Sequence, residues 1–137
     1  MKLYIAGPMR GIPEFNFPAF LVAAQRLEKM GHTCFNPAQR DIDEHGEQVY
    51  KGLKGDLREI AHLGFDLRTS FSFDMGFICR EAEGIVLLDG WENSSGAKAE
   101  LAVCIALGIP AYEIALGFTP TGWDIEEMSH VKILAAS

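Results

Sequence analysis

A chain of 137 residues has room for one domain and one sizeable core, which excludes two independently folded units. Hydrophobic residues make up 48% and charged residues 23%, a globular mix that argues against disorder. The net charge of -7, with no basic stripe, argues against a nucleic-acid polymer as partner and leaves room for a single nucleotide, which needs only one or two local cations or amide donors.

The first apolar run, 3–6, predicts a strand that stops at Gly7-Pro8-Met9-Arg10-Gly11; it is too short for a signal peptide. Phe17, Phe20, Leu21, Ala24, Leu27 and Met30 follow helical spacing and predict a helix over 17–30, with Gly31 as its stop. A second strand over 32–35 closes at Asn36-Pro37. The stretch 41–68 is polar and poorly periodic, with a helix expected at about 53–62. A helix over 71–83 then leads into the continuous apolar run 84–88, the pattern of a central parallel strand covered on both faces. The loop 89–95 enters a helix over 96–107 that Gly108 stops, and 109–114 supplies one more strand. The tail from 117 carries a turn at Pro120-Thr121-Gly122 and a last helix or strand over 125–134.

Alternating strands and helices predict a single α/β domain over 1–137, three-layered around a mostly parallel, flavodoxin- or Rossmann-like sheet. No stretch approaches the roughly 20 apolar residues of a membrane span, so no membrane partner is expected. Cys34, Cys79 and Cys104 each sit in an apolar segment without a CxxC pair, and are read as buried thiols in a reducing cytoplasm. No metal site is expected.

In such a sheet, ligands bind beyond the carboxyl ends of the strands, near a topological switch point. Two loops leave strand ends with unusual composition: Gly7 to Gly11, and Gly90 to Gly96. In the second, Trp91-Glu92-Asn93-Ser94-Ser95-Gly96 enters a helix whose first-turn amides are unpaired. Ser94 or Ser95 would cap them, and hydroxyls, amides and helix dipole together suit a phosphate or carboxylate. Simple capping accounts for the serines equally well.

Glu100 sits one turn into this helix, which is apolar almost all round and is expected to be buried on most faces. A carboxylate there is costly to desolvate unless paired or used. Helical side chains lean toward the N-terminus, so Glu100 would point back at the loop. A dipole-favoured acid or an ion pair is the plainer alternative. Asp74, among Phe71, Phe73 and Phe77, is a candidate second carboxylate, with Asp66, Asp89 and Glu92 as rivals that the residues alone do not rank. Arg10, the one cation of the first loop, suits a phosphate clamp.

The segment Tyr4-Ile5-Ala6-Gly7-Pro8-Met9-Arg10-Gly11, together with Gly90-Trp91-Glu92-Asn93-Ser94-Ser95-Gly96-Ala97-Lys98-Ala99-Glu100, resembles the nucleoside 2-deoxyribosyltransferase-like superfamily. That superfamily includes the 2′-deoxynucleoside 5′-monophosphate N-hydrolases. The resemblance runs from Met1 to about Tyr112 and leaves out 41–70 and the tail after Gly117. It implies Glu100 as nucleophile, and selects Asp74, 26 residues earlier, as its helical aspartate. Ser94, six residues before Glu100, and Arg10 match the phosphate-binding serine and arginine of the hydrolase branch. The substrate-binding set so implied is Tyr4, Gly7, Pro8, Met9, Arg10, Gly11, Asn36, Ser94, Ser95 and Gly96, with no cofactor. A homodimer or higher homo-oligomer is expected, with the tail 117–137 at a subunit interface.

The expected activity is cleavage of the N-glycosidic bond of a (deoxy)nucleoside 5′-monophosphate, with the two carboxyls about 5 Å apart as in retaining glycosidases. A base-exchanging transferase, a non-catalytic nucleotide-binding module, and an interaction protein using Trp91 and Trp123 are the competing classes.

Overall fold

The computed structural model describes residues 1–114, 118–119, 122–123 and 131–133, the last three segments as backbone strands. In chain order come β1 (Lys2–Ala6), α1 (Phe17–Lys29), β2 (Thr33–Phe35), α2 (Pro37–His45), α3 (Leu67–Arg80), β3 (Gly84–Leu87), α4 (Ser95–Ala106) and β4 (Ala111–Ile114). Three short strands follow, β5 (Phe118–Thr119), β6 (Gly122–Trp123) and β7 (Val131–Ile133). The main sheet has the order β2-β1-β3-β4-β7, with β2, β1, β3 and β4 parallel and β7 antiparallel to β4. β5 and β6 pair antiparallel with each other.

Strand alternation separates two cores. Leu3, Ile5, Val86 and Leu88 face α1 through Phe17, Phe20, Ala23 and Leu27. Tyr4, Ala6, Ile85 and Leu87 face the opposite layer through Ile78 of α3 and Ala97 and Cys104 of α4. The expected three-layer α/β architecture is therefore present. Residues 3 to 6 and 84 to 88 are all buried, as a strand covered on both faces requires.

The chain departs from expectation between β2 and α3. Asn36-Pro37 does not merely end a strand; it starts α2. The Asn36 side chain caps the helix by accepting from the Ala38 amide at 3.0 Å, and Pro37 takes the first turn, where its missing N–H costs nothing. The helix expected at 53–62 is absent. In its place two 3-10 turns, Leu57–Glu59 and Ala61–Leu63, follow a third at Glu47–Val49. Gly52 and Gly55 adopt positive φ, and Asp56 and Glu59 form a capping box around a single short turn, so no long helix can run through.

Helix α3 begins at Leu67, earlier than expected, because Asp66 caps it by accepting from the Arg68 amide at 3.2 Å. Helix α4 is not buried on most faces. Only Ala97, Glu100 and Cys104 are buried, while Ile105 and Leu107 lie at 40% and 53% exposure. An apolar composition thus hides a helix packed along one stripe. Cys104 is buried, but Cys34 is only partly so and Cys79 is exposed, which corrects the reading of all three as buried thiols. The β5 and β6 pairing brackets the expected turn at Pro120-Thr121-Gly122, whose first two residues lie outside the described residues. Of the last expected element, 125–134, the described part is the strand β7.

Candidate active site

The order β2-β1-β3-β4 puts the topological switch between β1 and β3, which are parallel neighbours. The chain leaves β1 toward α1 on one face and β3 toward α4 on the other, so the two exit loops part and leave a crevice between them. The loops singled out from composition are these two. They meet closely: a Cβ on Gly7 would lie 2.9 Å from the Leu88 Cβ, so only glycine lets the first loop pass over the end of β3. Asn16 braces that loop by donating its amide to the Pro8 carbonyl at 3.0 Å.

A cavity of about 770 Å³ opens there, a size suited to a small-molecule ligand. Tyr4, Gly7, Pro8, Met9, Arg10, Ser94, Ser95, Gly96, Asp74 and Glu100 all line it. Gly11 and Asn36, both expected at the site, do not. Gly11 instead donates its amide to the Gly55 carbonyl at 2.9 Å, and Asn36 is occupied in capping α2 and in donating to the Phe20 carbonyl at 3.4 Å.

At the mouth, the Ser94 hydroxyl accepts from the Ala97 amide at 3.1 Å, which is a helix cap. The plain capping role and the cavity-lining role coincide in one residue. Arg10 is exposed and donates through Nη2 to the Ser95 hydroxyl at 3.4 Å, bringing the first loop's cation to the start of α4. Hydroxyls, first-turn amides and a guanidinium therefore converge on one spot, with the positive end of the α4 dipole behind them.

Deeper in, two buried stripes face each other. On α3 the buried residues are Ser70, Asp74 and Ile78, and on α4 they are Ala97, Glu100 and Cys104. Each stripe has helical spacing, and each holds a carboxyl where packing alone would favour an apolar side chain. Tyr4, on the same face of β1, stands between them. Its hydroxyl donates to Glu100 Oε2 and also faces Asp74. Tyr4 itself is held by aromatic neighbours, stacked on Phe35 at 5.6 Å and beside Phe77 at 6.3 Å.

Burial pushes the Glu100 carboxyl up to about 8; the Tyr4 hydrogen bond pulls against this and the Asp74 charge adds to it. Asp74 is likewise pushed up by burial, to about 7, against the pull of the Arg40 guanidinium. Tyr4 is raised well above its ordinary value by burial and by both acids, so it stays a hydroxyl donor. The pair titrates as a unit, because ionising one carboxyl makes ionising the other harder.

Sequence reading did not find the neighbouring polar group on α2. Arg40 donates to Asp41 Oδ1 at 2.9 Å and to the Ser70 hydroxyl, and its Nε lies 3.9 Å from Asp74 Oδ1. The guanidinium lies 5.2 Å from the centre of the Phe73 ring. Asp41 and Ser70 line the cavity. The signal that could have located them is the Asn36-Pro37 cap-and-first-turn pair, which starts a helix and puts position 41 on the same face as Ala38. The rivals resolve as well: Asp66 caps α3, and Asp89 and Glu92 are exposed and do not line the cavity.

A family model described as "Domain of unknown function (DUF4406)" matches residues 1–112. The chain belongs to this family. The match covers both loops, all four helices, β1 to β3 and the first two residues of β4, so every cavity residue named above lies within the DUF4406 domain. No curated protein matches the chain. Among the described residues, no helix is long and apolar enough to cross a membrane.

Proposed function

We propose that this DUF4406 domain cleaves the N-glycosidic bond of a (deoxy)nucleoside 5′-monophosphate, as the resemblance to the deoxyribosyltransferase-like superfamily implies. The observation that carries this reading is a buried Glu100 receiving the Tyr4 hydroxyl, one helical turn inside an anion-suited α4 N-terminus. One turn of helix advances about 5.4 Å, a span suited to a sugar with its phosphate at Ser94–Gly96 and its anomeric carbon at Glu100.

Near neutral pH the Asp74–Glu100 pair holds about one proton. In the resting site Glu100 is pushed up further than Asp74 and Arg40 lies beside Asp74, so the proton is favoured on Glu100 and the charge on Asp74. Attack requires that proton to pass through the Tyr4 hydroxyl, which faces both acids, leaving Glu100 ionised and Asp74 protonated. Glu100 then forms a bond to the anomeric carbon as the C–N bond breaks and its electron pair leaves with the base. Asp74 gives its proton to the departing base. Water next attacks the glycosyl ester, Asp74 takes up its proton, and Glu100 is released as a carboxylate. The net reaction is nucleotide plus water to free base plus sugar phosphate. A second base in place of water would make the same site a transferase. The exposed Phe73, Ile105 and Leu107 on the α3 and α4 layer support assembly of like chains, and three unpaired thiols suit a reducing cytoplasm.

The test is to incubate the protein with deoxynucleosides and their 5′-monophosphates and to separate free base by chromatography. Base is expected from monophosphates, with Ser94→Ala or Arg10→Ala lowering kcat/KM by about tenfold for a monophosphate and little for its nucleoside. Equal losses on both substrates would remove the phosphate assignment.

A further inference from the structure

The contacts around Glu100 give the cavity a direction. Phosphate-suited groups stand at the α4 N-terminus, Glu100 lies one turn in, Tyr4 joins Glu100 to Asp74, and beyond Asp74 come Ser70 and Asp41. Ser70 precedes Asp74 by one turn on the buried stripe of α3, and Arg40 ties Ser70 to Asp41. A nucleotide seated with its phosphate at α4 and its anomeric carbon at Glu100 therefore extends its base past Asp74 toward Asp41. Apolar side chains of Phe65, Phe71 and Met75 line the cavity as well, and suit the faces of a flat ring.

Asp41 is 4% exposed and is one of the residues that line the cavity. Its fixed partners are on the protein side: Arg40 at 2.9 Å on Oδ1, and Ser70. A carboxylate has about four acceptor positions, so these two partners leave acceptor capacity for a ligand. Next to it, Asp74 Oδ1 and Arg40 Nε lie 3.9 Å apart, both buried and without a hydrogen bond. Among the described residues, the cations that line the cavity are Arg10, at the α4 end, and Arg68, exposed at the rim; Arg40 does not line it.

We propose that Asp41, held by Arg40 and Ser70, is the base-reading residue and selects bases that present an exocyclic amino group over those that present a carbonyl oxygen at the same place. The inference rests on the nucleotide reading above. An amino group donates to the carboxylate, whereas a carbonyl oxygen would face it lone pair to lone pair in a desolvated pocket. Burial pushes Asp41 up to about 6 while Arg40 holds it down, so it is ionised and acceptor-only at neutral pH. The substrate class is thus an amino-bearing deoxynucleoside monophosphate, of the cytosine or adenine kind.

Matched pairs test this directly: between dCMP and dUMP, and between dAMP and dIMP, an exocyclic amino group is exchanged for an oxo group and the adjacent ring nitrogen changes from acceptor to N–H donor. Binding is measured by calorimetry on the wild-type protein and on Asp41→Asn, and base release is measured on the same samples. The wild type is expected to bind at least one amino member about tenfold or more tighter than its oxo partner. Asn can donate where Asp cannot, so Asp41→Asn should abolish or invert that preference. Oxo members bound as tightly as amino members by the wild type would overturn the inference without any variant. An unchanged preference in a folded Asp41→Asn would overturn it too. Discrimination in binding without base release would keep this inference and sink the glycosidase reading, whereas base release without discrimination would do the reverse. Binding of none of the four would overturn both.

Discussion

Glu100 illustrates how one residue's surroundings set both stability and chemistry. Its carboxyl has an ordinary value of 4.5 and is pushed up to about 8 by burial. Between those values the folded protein holds a proton that the unfolded chain has released. Stability contributed by this group is therefore full below about 4.5 and is lost as pH rises through about 8. Glu100→Gln keeps the shape and an acceptor for Tyr4 but has no charge to desolvate. The variant is expected to match the wild type near pH ~4 and to exceed it by on the order of 2 kcal/mol near pH ~8, read by urea denaturation at both values. Asp41 titrates in both proteins and largely cancels in the difference, whereas Asp74, coupled to Glu100, ionises more easily in the variant and adds to its advantage at high pH. A stability difference independent of pH would show that burial does not strain this carboxyl.

At the scale of elements, the cavity wall depends on a segment with little regular structure. The 3-10 turns between α2 and α3 bring Val49, Leu57 and Ile60 to the cavity, and they dock on the turn after the first loop. That docking uses the Gly11 amide on the Gly55 carbonyl at 2.9 Å and the Glu14 amide on the Leu53 carbonyl at 2.8 Å. At Gly55, with φ of +94, an added Cβ would lie 2.3 Å from the Ile12 carbonyl oxygen. Gly55→Ala is therefore expected to cost about 2 kcal/mol or more and to lower the melting temperature, because backbone must move. An unchanged melting temperature would show that the segment is not held this way. The same segment was the least legible in the sequence. Helix α4 and its loop could be read because cap, glycine stop and apolar run are neighbours in the chain. Helix α2 could not, because only Pro37, Ala38 and Asp41 are buried on it, and that stripe is too short and too polar to show a period. The expected helix over 53–62 failed because positive-φ glycines and a capping box break the chain into single turns.

For the whole molecule, the site is a product of topology. Tyr4 and Glu100 are 96 residues apart in sequence and in hydrogen-bond contact, because β1 and β3 are neighbours at the point where the chain reverses its order. Alternation of strands and helices was enough to foresee the sheet and to place the two exit loops at its carboxyl edge. It could not pair Tyr4 with Glu100, nor bring α2's Arg40 and Asp41 beside Asp74, since those contacts depend on how three elements pack. Asp74 itself was selected by the family-like spacing to Glu100, whereas by composition alone Asp66 and Asp89 stood level with it. The measurement that tests the central claim most directly is release of free base from amino-bearing deoxynucleoside monophosphates by the wild type and by Glu100→Gln, with circular dichroism to establish that both are folded. The expected result is base release by the wild type and a loss of about a thousandfold or more in the variant at unchanged fold. Base release at the wild-type rate by folded Glu100→Gln would contradict the assignment of Glu100 as nucleophile.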